Sequence, residues 1–117
     1  MLIATWNVNS IRTRLSQIID WIKLKNPDIL CLQETKVIDE DFPIKPFEDL
    51  GYQIEVYGQK SYNGVAIISK LQIEEVNKGF ANEIDINETS REFIDQKRLI
   101  SGVINGLRII NVYVPNG

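Results

Sequence analysis

The 117-residue chain contains no histidine and a single cysteine, Cys31. The first absence removes every Ser-His-Asp arrangement, every Cys/His zinc site and any histidine general base from its own chemistry. The second rules out an intrachain disulfide. Cys31 lies inside the apolar run "DILCLQ" with no base to activate it, and reads as a small core hydrophobe. Metal ligands, if any, must be carboxylates, amides or carbonyls, donors that suit hard cations such as Mg²⁺. No hydrophobic stretch approaches the roughly 18–20 residues that span a bilayer. The opening "MLIATWNVNS" has neither a basic leader nor a signal-type cleavage site. A cytoplasmic protein with no membrane partner is expected.

The composition, 44% hydrophobic and 25% charged, suits one ordered core. Net charge is −3, which alone argues against a nucleic-acid partner. The acid is concentrated, however. Between 74 and 95 stand Glu74, Glu75, Glu83, Asp85, Glu88, Glu92 and Asp95 against Lys78 and Arg91, so the remainder is slightly basic. Net charge therefore says little about any one face.

"LIATWNV" (2–8) reads as a buried strand. In the next segment Leu15, Ile18, Ile19 and Ile22 recur at helical spacing, and Asn26-Pro27 is a stop signal. "DILCLQ" (28–33) is a second strand, so strand, helix, strand predicts a parallel βαβ unit. Residues 37–51 form a connection with one helical turn. "YQIEVYGQ" and "GVAIISK" flank "KSYNG" as a hairpin-like pair, "QIEEVNKG" is a further strand, and 79–95 reads as an irregular acidic loop. Asn105-Gly106 joins "RLISGVI" to "LRIINVYV" as a type I′ hairpin. One helix and one turn offer little cover for so many apolar strands. Residues 1–117 are therefore expected to be the N-terminal portion of a single, larger domain.

Glu34 is a carboxylate at the mouth of an apolar strand. Ligands of open α/β sheets bind beyond the carboxyl ends of the strands. If the first two strands are parallel neighbours, Asn7 and Glu34 meet at one edge as an oxygen site for a divalent cation, and Tyr113 and Asn116 at the end of the last strand can join them. The plainer alternative is a solvated strand-end carboxylate paired with Lys36, with Tyr113 as a core tyrosine.

Four segments in order, "TWNVNSIR" (5–12), "LQETK" (32–36), "YNGVAIISK" (62–70) and "RIINVYVPNG" (108–117), resemble the exonuclease III / apurinic endonuclease family of the endonuclease–exonuclease–phosphatase superfamily. The resemblance implies half of a four-layer α/β sandwich of the DNase I type, with one main sheet and a flanking helix. It implies an Mg²⁺-dependent DNA-repair phosphodiesterase, with Mn²⁺ as a substitute. Such an enzyme cuts duplex DNA 5′ to abasic sites and trims 3′ ends, here as a monomer. Glu34 is implied as the metal ligand, Asn7 as an amide supporting metal and phosphate, Lys36 as their positioning neighbour and Tyr113 as the phenol at the scissile phosphate. Arg12, Tyr62, Asn63, Arg98 and Asn116 are implied as DNA contacts. Position 9 is Asn where several relatives carry Asp, so a second acidic neighbour is missing. Also missing are the family's "GD-x-N" and "SDH" motifs, with their catalytic Asp, Asn and His, so this chain alone is expected to be inactive. Two other readings stand beside this one: a non-catalytic DNA-binding remnant, and a phosphatase or phospholipase relative.

Overall fold

The structure, a computed structural model, describes residues 1–79 and 96–115. The acidic stretch expected as a loop, and Asn116, lie outside the described residues. Strand β1 (Ile3–Asn7) leads into helix α1 (Ile11–Lys25), which returns to strand β2 (Ile29–Gln33). The helix starts where Ser10 accepts a hydrogen bond from the Thr13 amide. It ends at Asn26, whose left-handed backbone (φ 51°) lets its N–H return to the Ile22 carbonyl before Pro27 closes the segment. β1 and β2 pair in parallel, with Ile3 opposite Ile29 and Asn7 opposite Gln33. The expected βαβ unit is present.

The connection after β2 carries a 3-10 turn (Asp39–Asp41) and a short helix, α2 (Lys45–Glu48), before strands β3 (Gln53–Tyr57) and β4 (Val65–Ser69) pair antiparallel. β4 inserts beside β2, which gives a four-stranded main sheet in the order β1-β2-β4-β3. β2 and β4 are central and buried on both faces, which is why their sequences are continuous apolar runs. Leu30, Leu32, Ala66 and Ile68 pack with Ile11, Ile18 and Ile22 of α1. Ile29, Cys31, Val65 and Ile67 point the other way.

The cover for that second face is the main departure from the sequence reading. Strands β5 (Glu74–Lys78), β6 (Leu99–Ile104) and β7 (Leu107–Val112) form a separate three-stranded antiparallel sheet in the order β5-β6-β7. Ile100 and Ile104 of β6 pack into the cluster of Ile29, Cys31, Val65 and Ile67. The strands thus divide into two sheets that cover each other. The layers in sequence are helix, main sheet, second sheet. β6 and β7 turn at Asn105-Gly106, where both residues have positive φ (51° and 79°), as a type I′ turn requires. Among the described residues, no helix is long and apolar enough to cross a membrane.

Burial pushes the Cys31 thiol up to about 11 and raises the Tyr52 phenol above its ordinary value. Both groups favour the neutral form in the folded state. Their contribution to stability is therefore complete below the unfolded values of 9.0 and 10.0 and is lost as pH rises through the folded ones. Stability should fall above about pH 9 in urea titrations run across pH, and Cys31 should resist iodoacetamide at pH 8 until denaturant is added. At Gly64 (φ +94°) a Cβ would come to 2.1 Å from Thr35 Oγ1, whereas at Gly51 (φ +90°) it would meet nothing within 4 Å. Gly64→Ala should cost about 2 kcal/mol or more in thermal unfolding, and clearly more than Gly51→Ala, which carries backbone strain alone.

Candidate functional site

The parallel register carries β1 and β2 to the same edge of the main sheet, so Asn7 and Glu34 emerge side by side. The Asn7 Nδ2 amide donates to Glu34 Oε1 at 3.0 Å, while Asn7 Oδ1 accepts from the Asn9 backbone amide at 3.2 Å. Lys36 Nζ stands 3.5 Å from Glu34 Oε2 and donates to Asn9 Oδ1 at 2.5 Å. Lys36 is thus held between an amide oxygen and a carboxylate.

The backbone around Glu34 is unusual. Glu34 (φ 56°) and Lys36 (φ 62°) are both left-handed, as are Asn9 (φ 45°) and Ser10 (φ 93°) opposite them. Such positions cost energy for residues with side chains and persist only where the surroundings fix them. Here the segment is bonded on both sides. Ser10 and Ile11 donate to the Glu34 and Thr35 carbonyls at 2.8 and 3.1 Å. Thr35 and Lys36 donate to the Gly64 and Asn63 carbonyls at 3.2 and 3.0 Å. The close approach at Gly64 explains why a glycine stands there.

Tyr113, just past β7, is anchored by its amide donating to the Arg98 carbonyl at 2.8 Å. Its phenol faces the Glu34 carboxylate across the cleft floor. Burial first, then this contact and the negative charge of Glu34, raise the phenol above its ordinary range, against a smaller opposing effect of Arg98. Glu34 moves the other way. The Asn7 amide is the largest cause, with Tyr113 and Lys36 adding to it, and together they hold the carboxyl below its usual value despite partial burial. At neutral pH the pair is therefore a carboxylate beside a protonated phenol.

A polar cleft of about 390 Å³ opens over these groups. Glu34, Lys36, Tyr62, Asn63, Arg98 and Tyr113 all line it. Arg98 Nε donates to Asn63 Oδ1 at 3.2 Å, and Asn63 Nδ2 donates to Gln59 at 3.0 Å, so the "SYNG" turn and the start of β6 are tied together. Tyr62 projects from the rim, 69% exposed. Arg12 does not line the cleft. It stands on the first turn of α1, 3.3 Å from Asp41 in a solvent-exposed ion pair.

Both polar atoms of the Asn7 side chain are engaged, the amide with Glu34 and the oxygen with Asn9, so Asn7 orients the carboxylate while its oxygen keeps a second lone pair. Among the described residues no three acidic, histidine or cysteine side chains converge. The donor set is one carboxylate at a polar cleft, which fits Mg²⁺, an ion that keeps several waters and takes few protein oxygens. Sequence reasoning also passed over three residues. Asn9 was read as a missing acid, whereas here it accepts from Lys36. Gln33 and Asn111 are hydrogen-bonded to each other at 2.8 Å beneath the site. The signal for Asn111 is in the sequence: a carboxamide on the inward-facing positions of an otherwise apolar strand.

The sequence from residue 4 to 108 matches the Endonuclease/Exonuclease/phosphatase family. The chain is 36% identical over 121 residues to exodeoxyribonuclease III of Haemophilus influenzae, covering 100% of this chain and 42% of that protein. It superposes on an AP endonuclease from Archaeoglobus fulgidus with a TM-score of 0.85 at 46% identity, over 98% of this chain and 42% of that one. On a 3′-5′ exonuclease from Neisseria meningitidis the TM-score is 0.87 at 39% identity, over 100% and 43%. The chain thus spans about two fifths of the length of the relatives it matches. With a family match over residues 4–108 of its own 117, this chain belongs to the endonuclease/exonuclease/phosphatase family.

Proposed function

We propose that this chain supplies the metal- and phosphate-holding part of a DNA-repair phosphodiesterase of the exodeoxyribonuclease III type, acting 5′ to abasic sites and at 3′ ends of duplex DNA. The observation that carries the proposal is a single carboxylate, Glu34, fixed by Asn7, Lys36 and Tyr113 beneath a cleft that also presents Arg98. The similarity to exodeoxyribonuclease III and to AP endonucleases supports the choice of substrate.

Glu34 would hold Mg²⁺, or Mn²⁺ in its place, and the bound ion would neutralise charge on the phosphate as the 3′-oxygen leaves. Asn7 and Lys36 keep Glu34 ionised and aimed at the cleft. Tyr113, its phenol held protonated against Glu34, would turn that one proton to a phosphate oxygen and is no base. Arg98 and Lys36 attract the phosphodiester, a contact that positions the strand without reading its sequence. Tyr62 and Asn63 would rest against the duplex from the rim and Arg12 would reach its backbone from α1, while Asn116 is assigned to the same contact by the family resemblance alone. No residue described in the cleft is placed to deprotonate water, so the 117 residues alone should bind and not turn over.

Fluorescence anisotropy with an abasic duplex tests this. Binding should strengthen with Mg²⁺ and weaken steeply with salt. Glu34→Gln should abolish the Mg²⁺ dependence. Arg98→Ala should lower the slope of log K against log salt by about 1. Binding indifferent to Mg²⁺, or displaced as well by inositol phosphates as by DNA, would reject the repair-nuclease reading in favour of a phosphatase-type relative.

A further inference from the structure

Two apolar sheets packed face to face have no intrinsic register, because hydrophobic contact is not directional. Yet the site needs β7 of one sheet placed closely against β1 and β2 of the other. Tyr113 follows β7, while Glu34 and Asn7 end β2 and β1.

Three hydrogen bonds of one side chain cross between the sheets at this point. Asn111 of β7 is buried, and its Nδ2 donates to both the Leu32 carbonyl at 2.9 Å and the Ala66 carbonyl at 2.8 Å. Leu32 and Ala66 are register partners on β2 and β4. Asn111 Oδ1 accepts from Gln33 Nε2 at 2.8 Å, and Gln33 Nε2 in turn donates to Thr5 Oγ1 of β1 at 2.7 Å. A continuous chain of hydrogen bonds thus joins β7, β4, β2 and β1. Both N–H donors and the oxygen of Asn111 are used, which fixes its carboxamide plane as well as its depth.

The spacing relates this chain to the site. Thr5 lies two residues before Asn7, and Asn111 two residues before Tyr113. In a strand a separation of two returns the side chain to the same face. Gln33 directly precedes Glu34. Each member of the chain therefore stands one or two residues from a member of the site.

We propose that Asn111, acting through Gln33 and Thr5, is a positioning residue that locks the second sheet in register with the main sheet and so sets the Tyr113 phenol against Glu34 and Asn7. The proposal rests on reading Glu34 and Tyr113 as the metal and phosphate site. It adds that their mutual placement is imposed from below by a buried amide and is not a by-product of core packing.

Amide hydrogen exchange and side-chain amide NMR on the ¹⁵N-labelled 117-residue chain separate the two. Asn111→Leu keeps the apolar volume and removes the cross-sheet bonds; Ile104→Val removes core packing from the same cluster and leaves those bonds intact. Asn111→Leu should speed exchange at the Tyr113 and Val8 amides, which bond to Arg98 and Gln33, at least tenfold more than at Ile68. It should also displace the Asn7 side-chain amide resonances and weaken their response to Mg²⁺ at least fivefold. Ile104→Val should speed exchange evenly and leave the Asn7 resonances in place. Should Asn111→Leu not fold, Thr5→Val, at the exposed end of the chain, should give the same local pattern at smaller size. An even rise in exchange with unmoved Asn7 resonances, in whichever variant folds, overturns the proposal. A wild-type Asn7 signal that ignores Mg²⁺ rejects the metal reading of Glu34, and the exchange pattern then decides the role of Asn111 alone.

Discussion

Asn7 stands opposite Gln33 because β1 and β2 run parallel and in register from Ile3 and Ile29 onward. The α1 crossover permits that pairing, since parallel neighbours need a long connection over one face of the sheet. Everything at the site depends on where this pairing ends. One residue further, β2 bends into the left-handed turn at Glu34, and the Asn7 amide is already waiting within 3.0 Å. A slip of a single residue would send Asn7 to the α1 face and bring Val8, now buried in that core, toward the cleft. The two core clusters therefore do more than stabilise. Their different residue sets make the register unique, and the register places the carboxylate.

The strained backbone at Glu34 and Lys36 belongs to the same account. Each left-handed residue costs on the order of 1 kcal/mol. Bonds from residues 10–11 on one side and 63–64 on the other offset that cost. The gain is geometric. The turn ends the β2 ladder at the sheet edge and holds Glu34 and Lys36 on one surface beyond it, 3.5 Å apart. A partly solvated ion pair at 3.5 Å contributes little to stability. Its consequence is electrostatic: a carboxylate kept ionised, with a cation beside it, at the floor of a cleft open to an anionic ligand.

Much of this was legible in the residues. The period of Leu15, Ile18, Ile19 and Ile22 gave the helix, the apolar "DILCLQ" gave a doubly covered strand, and Asn105-Gly106 gave the hairpin. These are local signals, each complete within a few residues. The partition of strands into two sheets was not legible, because nothing local in "GVAIISK" or "RLISGVI" says whether its second face meets a helix or another sheet. The same limit hid what Asn111 bonds to, though not its inward-facing position. Its partners Leu32, Ala66 and Gln33 lie 45 to 79 positions away, and an Asn in a strand ending near a turn is easily read as turn chemistry. Arg12, a DNA contact only by the resemblance, stands on α1 beside Asp41 and outside the cleft.

The opposite shifts of Glu34 and Tyr113 divide the chemistry between them. A shared proton would require the two groups to approach each other in affinity. Instead the Asn7 amide and the Lys36 ammonium lower one, while burial and the neighbouring carboxylate raise the other. The proton stays on the phenol across the neutral range, so the pair offers one fixed anion and one fixed donor. A fixed anion suits a cation and a protonated phenol suits an anionic oxygen. On the function proposed above, the two groups keep these separate roles across the neutral range because their surroundings push their proton affinities apart.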